Sequence, residues 1–402
     1  MRYTLALSSL LALAQASSLP VRRQSARVDV ANLPENVQYF DPLSFAIIGG
    51  NSSRSLTDIW TPNGNLTAGF QAYHADFLKL LGGSPQLRII SENFSGYYFA
   101  HEAAIWKPDT NELFFCSNAG NPKGDSGLYK NNRIFKIALS NLTSGNETLN
   151  LIPEEVVASP AVEMTNGGTP YKGQLLLAAE GRGEIPASLT LVNPEAPYNS
   201  TVLVDNFFGR RFNSLNDVVV HNKSGSILFT DTLYGYLQGF KPYPGLPEQV
   251  YSFNPETGLV RAVAEHFGHV NGIALSPDES KVYLSDTGAQ NGTVNTYLPA
   301  TIYTYDIEEN DGQISFGNRK LFAYLDSGVP DGIKVDKNGN VYTGAGDGVH
   351  VFNSNGVLLG KIFLGEGSAN LAFVGDQKLA ILSETRIYLA EFGGDVVGTD
   401  LW

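Results

Sequence analysis

The stretch NDVVVHNKSGSILFTD, Asn216–Asp231, opens on a carboxamide, runs through three valines, turns at Asn222-Lys223-Ser224-Gly225 and returns through Ile-Leu-Phe to an acid. Two short apolar runs around a polar, glycine-bearing turn describe a β-hairpin. Five more segments share this plan: EAAIWKPDTNELFFCSN from Glu102, NGGTPYKGQLLLAAE from Asn166, NGIALSPDESKVYLSD from Asn271, DGIKVDKNGNVYTGAG from Asp331 and NLAFVGDQKLAILSE from Asn370. Each begins with a carboxylate or carboxamide, and each second run closes on a small or acidic residue 14–16 positions after its head.

The heads are spaced by 64, 50, 55, 60 and 39 residues, which leaves room beyond each hairpin for two more strands and a loop. Such strands are visible in QVYSFN (Gln249–Asn254) and TIYTYD (Thr301–Asp306). Four strands per repeat at a period near 50 is the signature of a β-propeller, so the expected fold is all-β with six blades. LRIISE, Leu87–Glu92, is expected to add the outer strand of the last blade and close the ring from the N-terminal side. The expected organisation is a leader over 1–16, an extension over 17–86 and a catalytic propeller over 87–402. Two stacked sheets are the alternative architecture.

Composition narrows the partners. Lys plus Arg is 27 against 40 for Asp plus Glu, a net charge of −13 that repels a phosphate backbone and argues against nucleic acid. A single cysteine, Cys116, excludes a disulfide scaffold and a cysteine-based metal centre, and its apolar hairpin marks it as an inert buried thiol. MRYTLALSSLLALAQA, with Arg2 ahead of an apolar run and Ala14-Gln15-Ala16 at its end, reads as a secretory signal peptide. Arg22-Arg23 offers a dibasic processing site. Asn-x-Ser/Thr sequons at Asn51, Asn65, Asn93, Asn141, Asn146, Asn199, Asn222 and Asn291 fit an exported glycoprotein. No later apolar run is long enough to span a bilayer, so a secreted protein without membrane contact is expected. Oligomeric state is not written in the sequence.

The first strand of each blade lines a propeller's central channel, so the heads Glu102, Asn166, Asn216, Asn271, Asp331 and Asn370 fall in one ring. Two carboxylates and four carboxamides form a hard-oxygen set that suits Ca²⁺ rather than Zn²⁺. Asn and Asp ahead of a strand are also ordinary turn and cap residues. Asn166, in Asn-Gly-Gly-Thr, fits a tight turn. The favoured metal subset is Glu102, Asn216, Asn271 and Asp331, which leaves Asn166 and Asn370 for substrate or a metal-bound water.

FNSLNDVVV (Phe212–Val220), VNGIALSPDESKVYLSD (Val270–Asp286) and VPDGIKVD (Val329–Asp336) resemble the gluconolactonase and senescence-marker-protein (regucalcin) family. NFFGRRFNSLNDVVVHNKSGSILFTDTLYGY (Asn206–Tyr236) and GDGVHVFNSNGVLLGKI (Gly346–Ile362) are similar to the secreted fungal lactonohydrolases, which open aldonate and pantoyl lactones. The resemblance runs from about Tyr39 to the C-terminus. It implies a six-bladed propeller with Ca²⁺ in the channel, ligated through Glu102, Asn216 and Asn271, with Asp331 as metal-bound base. The first head departs from the bacterial Glu-Gly-Pro pattern, reading His101-Glu102-Ala103-Ala104.

The reaction expected on that basis is calcium-dependent hydrolysis of a small lactone. A carboxylate on Ca²⁺ is a poor base, so Asp217 and His101, each next to a head, stand beside Asp331 as candidates. Neighbouring strand residues face opposite sides, which would turn either away from the channel. Arg182, in Gly181-Arg182-Gly183, is a candidate for binding substrate or a plain loop residue. No Gly-x-Ser-x-Gly elbow occurs, and Ser126 in Gly-Asp-Ser-Gly reads as a turn. The competing functions are a secondary-metabolite tailoring hydrolase, a phosphotriesterase, a strictosidine-synthase-like propeller and a non-catalytic calcium-stabilised binding propeller.

Overall fold

Five of the six heads stand within the first three residues of an innermost strand, and Asp331 two residues ahead of one, in a computed structural model that describes residues 32–42, 68–142, 150–291, 293–399 and 402. The leader, the dibasic pair and the sequons at Asn51, Asn65 and Asn146 lie outside the described residues, as does the side chain of Asn291. Of the other sequons, Asn141, Asn199 and Asn222 are exposed.

Six antiparallel sheets form six blades. Blade one holds Glu102–Lys107, Glu112–Cys116, Ile134–Ala138 and Glu154–Val156. Blade two holds Thr165–Tyr171, Gln174–Ala179, Ser188–Val192 and Ser200–Val204. Blade three holds Ser214–His221, Ser226–Thr232, Gln249–Asn254 and Leu259–Glu265. Blade four holds Val270–Leu275, Lys281–Asp286, Thr301–Asn310 and Gln313–Tyr324. Blade five runs outward through Ile333–Val335, Val341–Ala345, Gly348–Phe352 and Leu358–Phe363. Blade six holds Asn370–Phe373, Lys378–Ser383 and Arg386–Glu391, then takes Gln86–Glu92 as its outer strand. This strand from before the first blade completes the last one. Consecutive inner strands touch around the ring, and Asn370–Phe373 lies against Glu102–Lys107.

The described parts of the segment ahead of Gln86 pack on the propeller. Gly69–Ala72 pairs antiparallel with Leu358–Phe363, and Val37–Tyr39 adds parallel to it, so blade five carries six strands. The helix Ala75–Leu81 buries Phe77 and Leu81 against the same blade. At the far end of the inner strands, described C-terminal residues bond back to the blades. Thr399 Oγ1 donates to Val335 O at 3.0 Å, Lys337 N donates to Val397 O at 2.8 Å, and Trp402 Nε1 donates to Trp106 O. Among the described residues no helix is long and apolar enough to cross a membrane.

Each pair of adjacent blades buries its own apolar cluster. Between blades six and one this cluster unites Ile90, Phe99, Leu113, Phe115, Ile387 and Leu389. Ile90, on the closing strand, is 1% exposed, so truncating it opens a cavity in the seam on which ring closure depends. Ile90→Ala is expected to cost about 2–5 kcal/mol in urea unfolding. A loss below about 1 kcal/mol would show that the closing strand is not integral to the fold.

Candidate functional site

The polar heads reach the channel because the strand ladder breaks where they stand. The pairing register shifts between Glu102 and Ile105, Thr165 and Gly168, Leu215 and Val218, and Val270 and Ile273. A bulge places two residues opposite one and re-aims their side chains. Glu102, Asn166, Asn216 and Asn271 all sit at these bulges. Asn166 is therefore not in a tight turn; its Asn-Gly-Gly belongs to the inner strand Thr165–Tyr171. In blade five Asp331 precedes the strand and is anchored by Asp331 N donating to Gly344 O at 3.1 Å.

Glycine lets the heads crowd together. A Cβ on Gly272 would stand 2.4 Å from Asp331 O, and one on Gly332 would stand 2.7 Å from the Asn370 side chain. The glycine after a head thus makes room for the next blade's head.

The resulting ring is buried. Glu102 and Asn370 are both 4% exposed, and Asn370 Nδ2 donates to Glu102 Oε2 across the junction of blades six and one. Burial raises the Glu102 carboxyl well above the ordinary range and the nearby Asp331 carboxylate adds to this. Burial likewise raises Asp331, opposed by the positive charge of His101. Asp331 Oδ1 and Asn166 Oδ1 are buried acceptors without a hydrogen-bond donor. Such acceptors each cost about 1–3 kcal/mol unless a proton or a cation meets them. Two crowded carboxyls and unmatched amide and carboxylate oxygens fit a hard cation such as Ca²⁺. Among the described residues no group of three or more His, Cys, Asp or Glu could hold a metal, so an ion here would draw on the carboxamides.

The remaining candidates fall in different places. His101 precedes its strand and lines a solvent-open cavity of about 810 Å³ together with Asp331. His101 Nδ1 bonds Glu384 Oε1 at 3.0 Å, and Asn118 Nδ2 donates to the same oxygen at 2.9 Å. Burial opposes charge on this imidazole, but Glu384 outweighs it and pushes the pKa up to about 10. Asp217 turns between inner strands: Oδ1 accepts from Val218 N at 2.8 Å and Oδ2 from Ile273 N at 3.1 Å. Arg182 lies in the loop after the second strand of blade two, where it binds Glu163 Oε2 at 2.8 Å and Leu128 O at 3.0 Å. The structure therefore brings His101 and Asp331 to one cavity, while Asp217 and Arg182 are engaged elsewhere.

Sequence reasoning missed the residues that close each hairpin. Asn118, Glu180 and Glu384 end the second strands' runs in blades one, two and six; Glu180 bonds the head Asn166, while Asn118 and Glu384 hold His101 beside the head Glu102. Glu180, 1% exposed, accepts from Asn166 Nδ2 at 3.0 Å and keeps Oε2 without a donor. Burial pushes its pKa up to about 7, against the Asn166 hydrogen bond. The closers of blades three and four brace backbone instead. Asp231 accepts from Asn213 N and Ser214 N, and Asp286 from Gly268 N and His269 N. The signal was the acid that recurs at the end of these runs.

The family signature described as "SMP-30/Gluconolactonase/LRE-like region" matches residues 155–385. Lactonohydrolase oryL of Aspergillus oryzae is 29% identical over 76% of this chain and 71% of its own length. A gluconolactonase from Xanthomonas campestris superposes with a TM-score of 0.63 at 25% identity, covering 81% of this chain and 95% of that one. The structure of a calcium-binding protein, regucalcin, from Agrobacterium tumefaciens shares the fold, with a TM-score of 0.52 at 14% identity over 78% of this chain and 95% of that one.

Glu180 gives a pH test. Its folded pKa of about 7 lies above the ordinary 4.5, so folding favours the protonated acid, and the stability it contributes is lost as pH rises from about 4.5 through 7. In chelator, the wild type should lose up to about 3 kcal/mol more than Glu180→Gln across that window. Denaturant unfolding at pH 5 and pH 8 measures this, and equal losses in both proteins would remove the assignment.

Proposed function

Because the chain belongs to the SMP-30/gluconolactonase/LRE-like family, we propose that it hydrolyses a small lactone of the aldonolactone or pantoyl-lactone type with the help of Ca²⁺. The chain is a hydrolase of lactone ester bonds, the bond named by its lactonohydrolase and gluconolactonase relatives. The observation that carries the finer reading is Asp331, which lines the mouth cavity with His101 and keeps a buried Oδ1 without a donor. The leader and the sequons support export.

Glu102, Asn216, Asn271 and Asp331 would hold Ca²⁺, which supplies Lewis acidity toward the lactone carbonyl and the positive charge that two buried carboxylates lack. This chain's own residues manage the protons. Opening the ring needs a water proton removed as the oxygen attacks the carbonyl carbon. It also needs a proton delivered to the ring oxygen as the acyl C–O bond breaks. Asp331 would take the first: burial raises its carboxyl, Ca²⁺ on the same group would lower it again, and Asp331→Asn tests which effect wins. His101, held by Glu384 and protonated near neutrality, is placed to give the second.

Asp331→Asn keeps an oxygen ligand of similar size but cannot take a proton. Lactone hydrolysis followed by pH-stat across a Ca²⁺ titration should leave this variant about 10²–10⁴-fold slow at saturating Ca²⁺. Glu102→Gln should mainly weaken Ca²⁺ and recover at high concentration. Near-wild-type turnover by Asp331→Asn would take the base role from Asp331, and activity indifferent to a chelator in the wild type would end the calcium reading.

A further inference from the structure

The wall of the mouth is uneven, and loop lengths show why. The connections between second and third strands run over 117–133 in blade one, 180–187 in blade two, 233–248 in blade three and 287–300 in blade four. In blades five and six they shrink to the two-residue turns 346–347 and 384–385. The cup is therefore tall on four sides and low on two.

The cavity that holds His101 and Asp331 lies on the low side. Its lining there mixes Gly328, Val329, Gly346 and Gly367 with Glu366 and Thr385. The floor is thin because the chain segments touch: a Cβ on Gly328 would stand 2.7 Å from the Gly346 backbone. Across from it stand Tyr98, carrying Lys123 at 4.9 Å above its ring, and the Ser95–Gly96 turn beside Phe94, which is 81% exposed. At about 810 Å³ the cavity falls within the ~300–1,000 Å³ that encloses a drug-sized ligand, more than a bare lactone ring fills.

We propose that the low side of the mouth is a substituent trough, and that the preferred substrate is a lactone whose ring carries an extended, mainly apolar chain lying over Gly346 and Gly367. This rests on the lactone-hydrolase reading above and deepens it. The reacting ester is held between His101 and Asp331, and the chain leaves over the low rim formed by the short turns of blades five and six. Contact with half-buried Val329 and the exposed Gly346 and Gly367 removes apolar surface from water on binding.

Gly367 is the place to test the trough. A Cβ there meets Ala345 O at 3.6 Å and Gly346 O at 3.8 Å, ordinary contacts, so Gly367→Phe fills the trough without straining the fold. The probes are γ-butyrolactone, a bare ring, and γ-undecalactone, the same ring bearing a heptyl chain. The wild type should prefer the heptyl lactone in kcat/KM by at least roughly tenfold, and Gly367→Phe should collapse that ratio by a similar factor. A wild-type ratio near one, or a ratio unmoved by Gly367→Phe, would overturn the trough. Calorimetric binding of 4-hydroxyundecanoate separates the two claims if neither lactone is opened. Binding weakened at least tenfold by Gly367→Phe would keep the trough while the hydrolase reading falls. Binding that is absent, or equal in both proteins, would sink the trough itself.

Discussion

Glu102 and Asp331 share one buried channel, and their mutual repulsion is the constraint around which the rest of the site is arranged. Neither carboxyl can ionise cheaply there, since burial acts against both, the Asp331 charge adds to the cost at Glu102, and Glu384 and Asp217 add to it at Asp331. The protein's partial answers are visible: Asn370 Nδ2 donates to Glu102, and His101 supplies a positive charge. They leave Asp331 Oδ1 without a donor. A ring that strained on the negative side is built to receive positive charge, which is why calcium and a polar substrate are parts of one account.

The propeller converts that local conflict into a stable object. Blades closed by Gln86–Glu92 and packed through a separate apolar cluster at every seam hold the inner strands rigidly. The bulges then turn single side chains inward, and the glycines after the heads let neighbouring blades approach to contact. Catalytic geometry thus rests on backbone features rather than on flexible loops. The loops set something different: their unequal lengths shape the mouth and so the substrate.

Much of this arrangement could be read from residues alone, and the exceptions have physical causes. The heads were legible because a hairpin repeats its apolar-turn-apolar pattern whatever its partners. Asn166 read as a turn because Asn-Gly-Gly is turn chemistry, whereas in the fold its glycines serve strand contact inside the channel. Glu384 escaped because its partner His101 lies 283 positions away, and no local pattern reports such a pair. Asp217 and Asn216 are adjacent in sequence, yet only the bulge decides which one faces the lumen. Val37–Tyr39 and Gly69–Ala72 are too short to show an alternation, and blade five supplies the partner that makes them strands.

The central claim is that the ring of heads is a cation site. Its most direct test is a crystal structure of the protein grown with Ca²⁺, with anomalous scattering used to locate the ion. The account predicts one ion in the channel with oxygens of Glu102, Asn216, Asn271 and Asp331 at about 2.3–2.6 Å. A channel free of the ion at saturating Ca²⁺, or an ion bound with none of these four side chains, would contradict it.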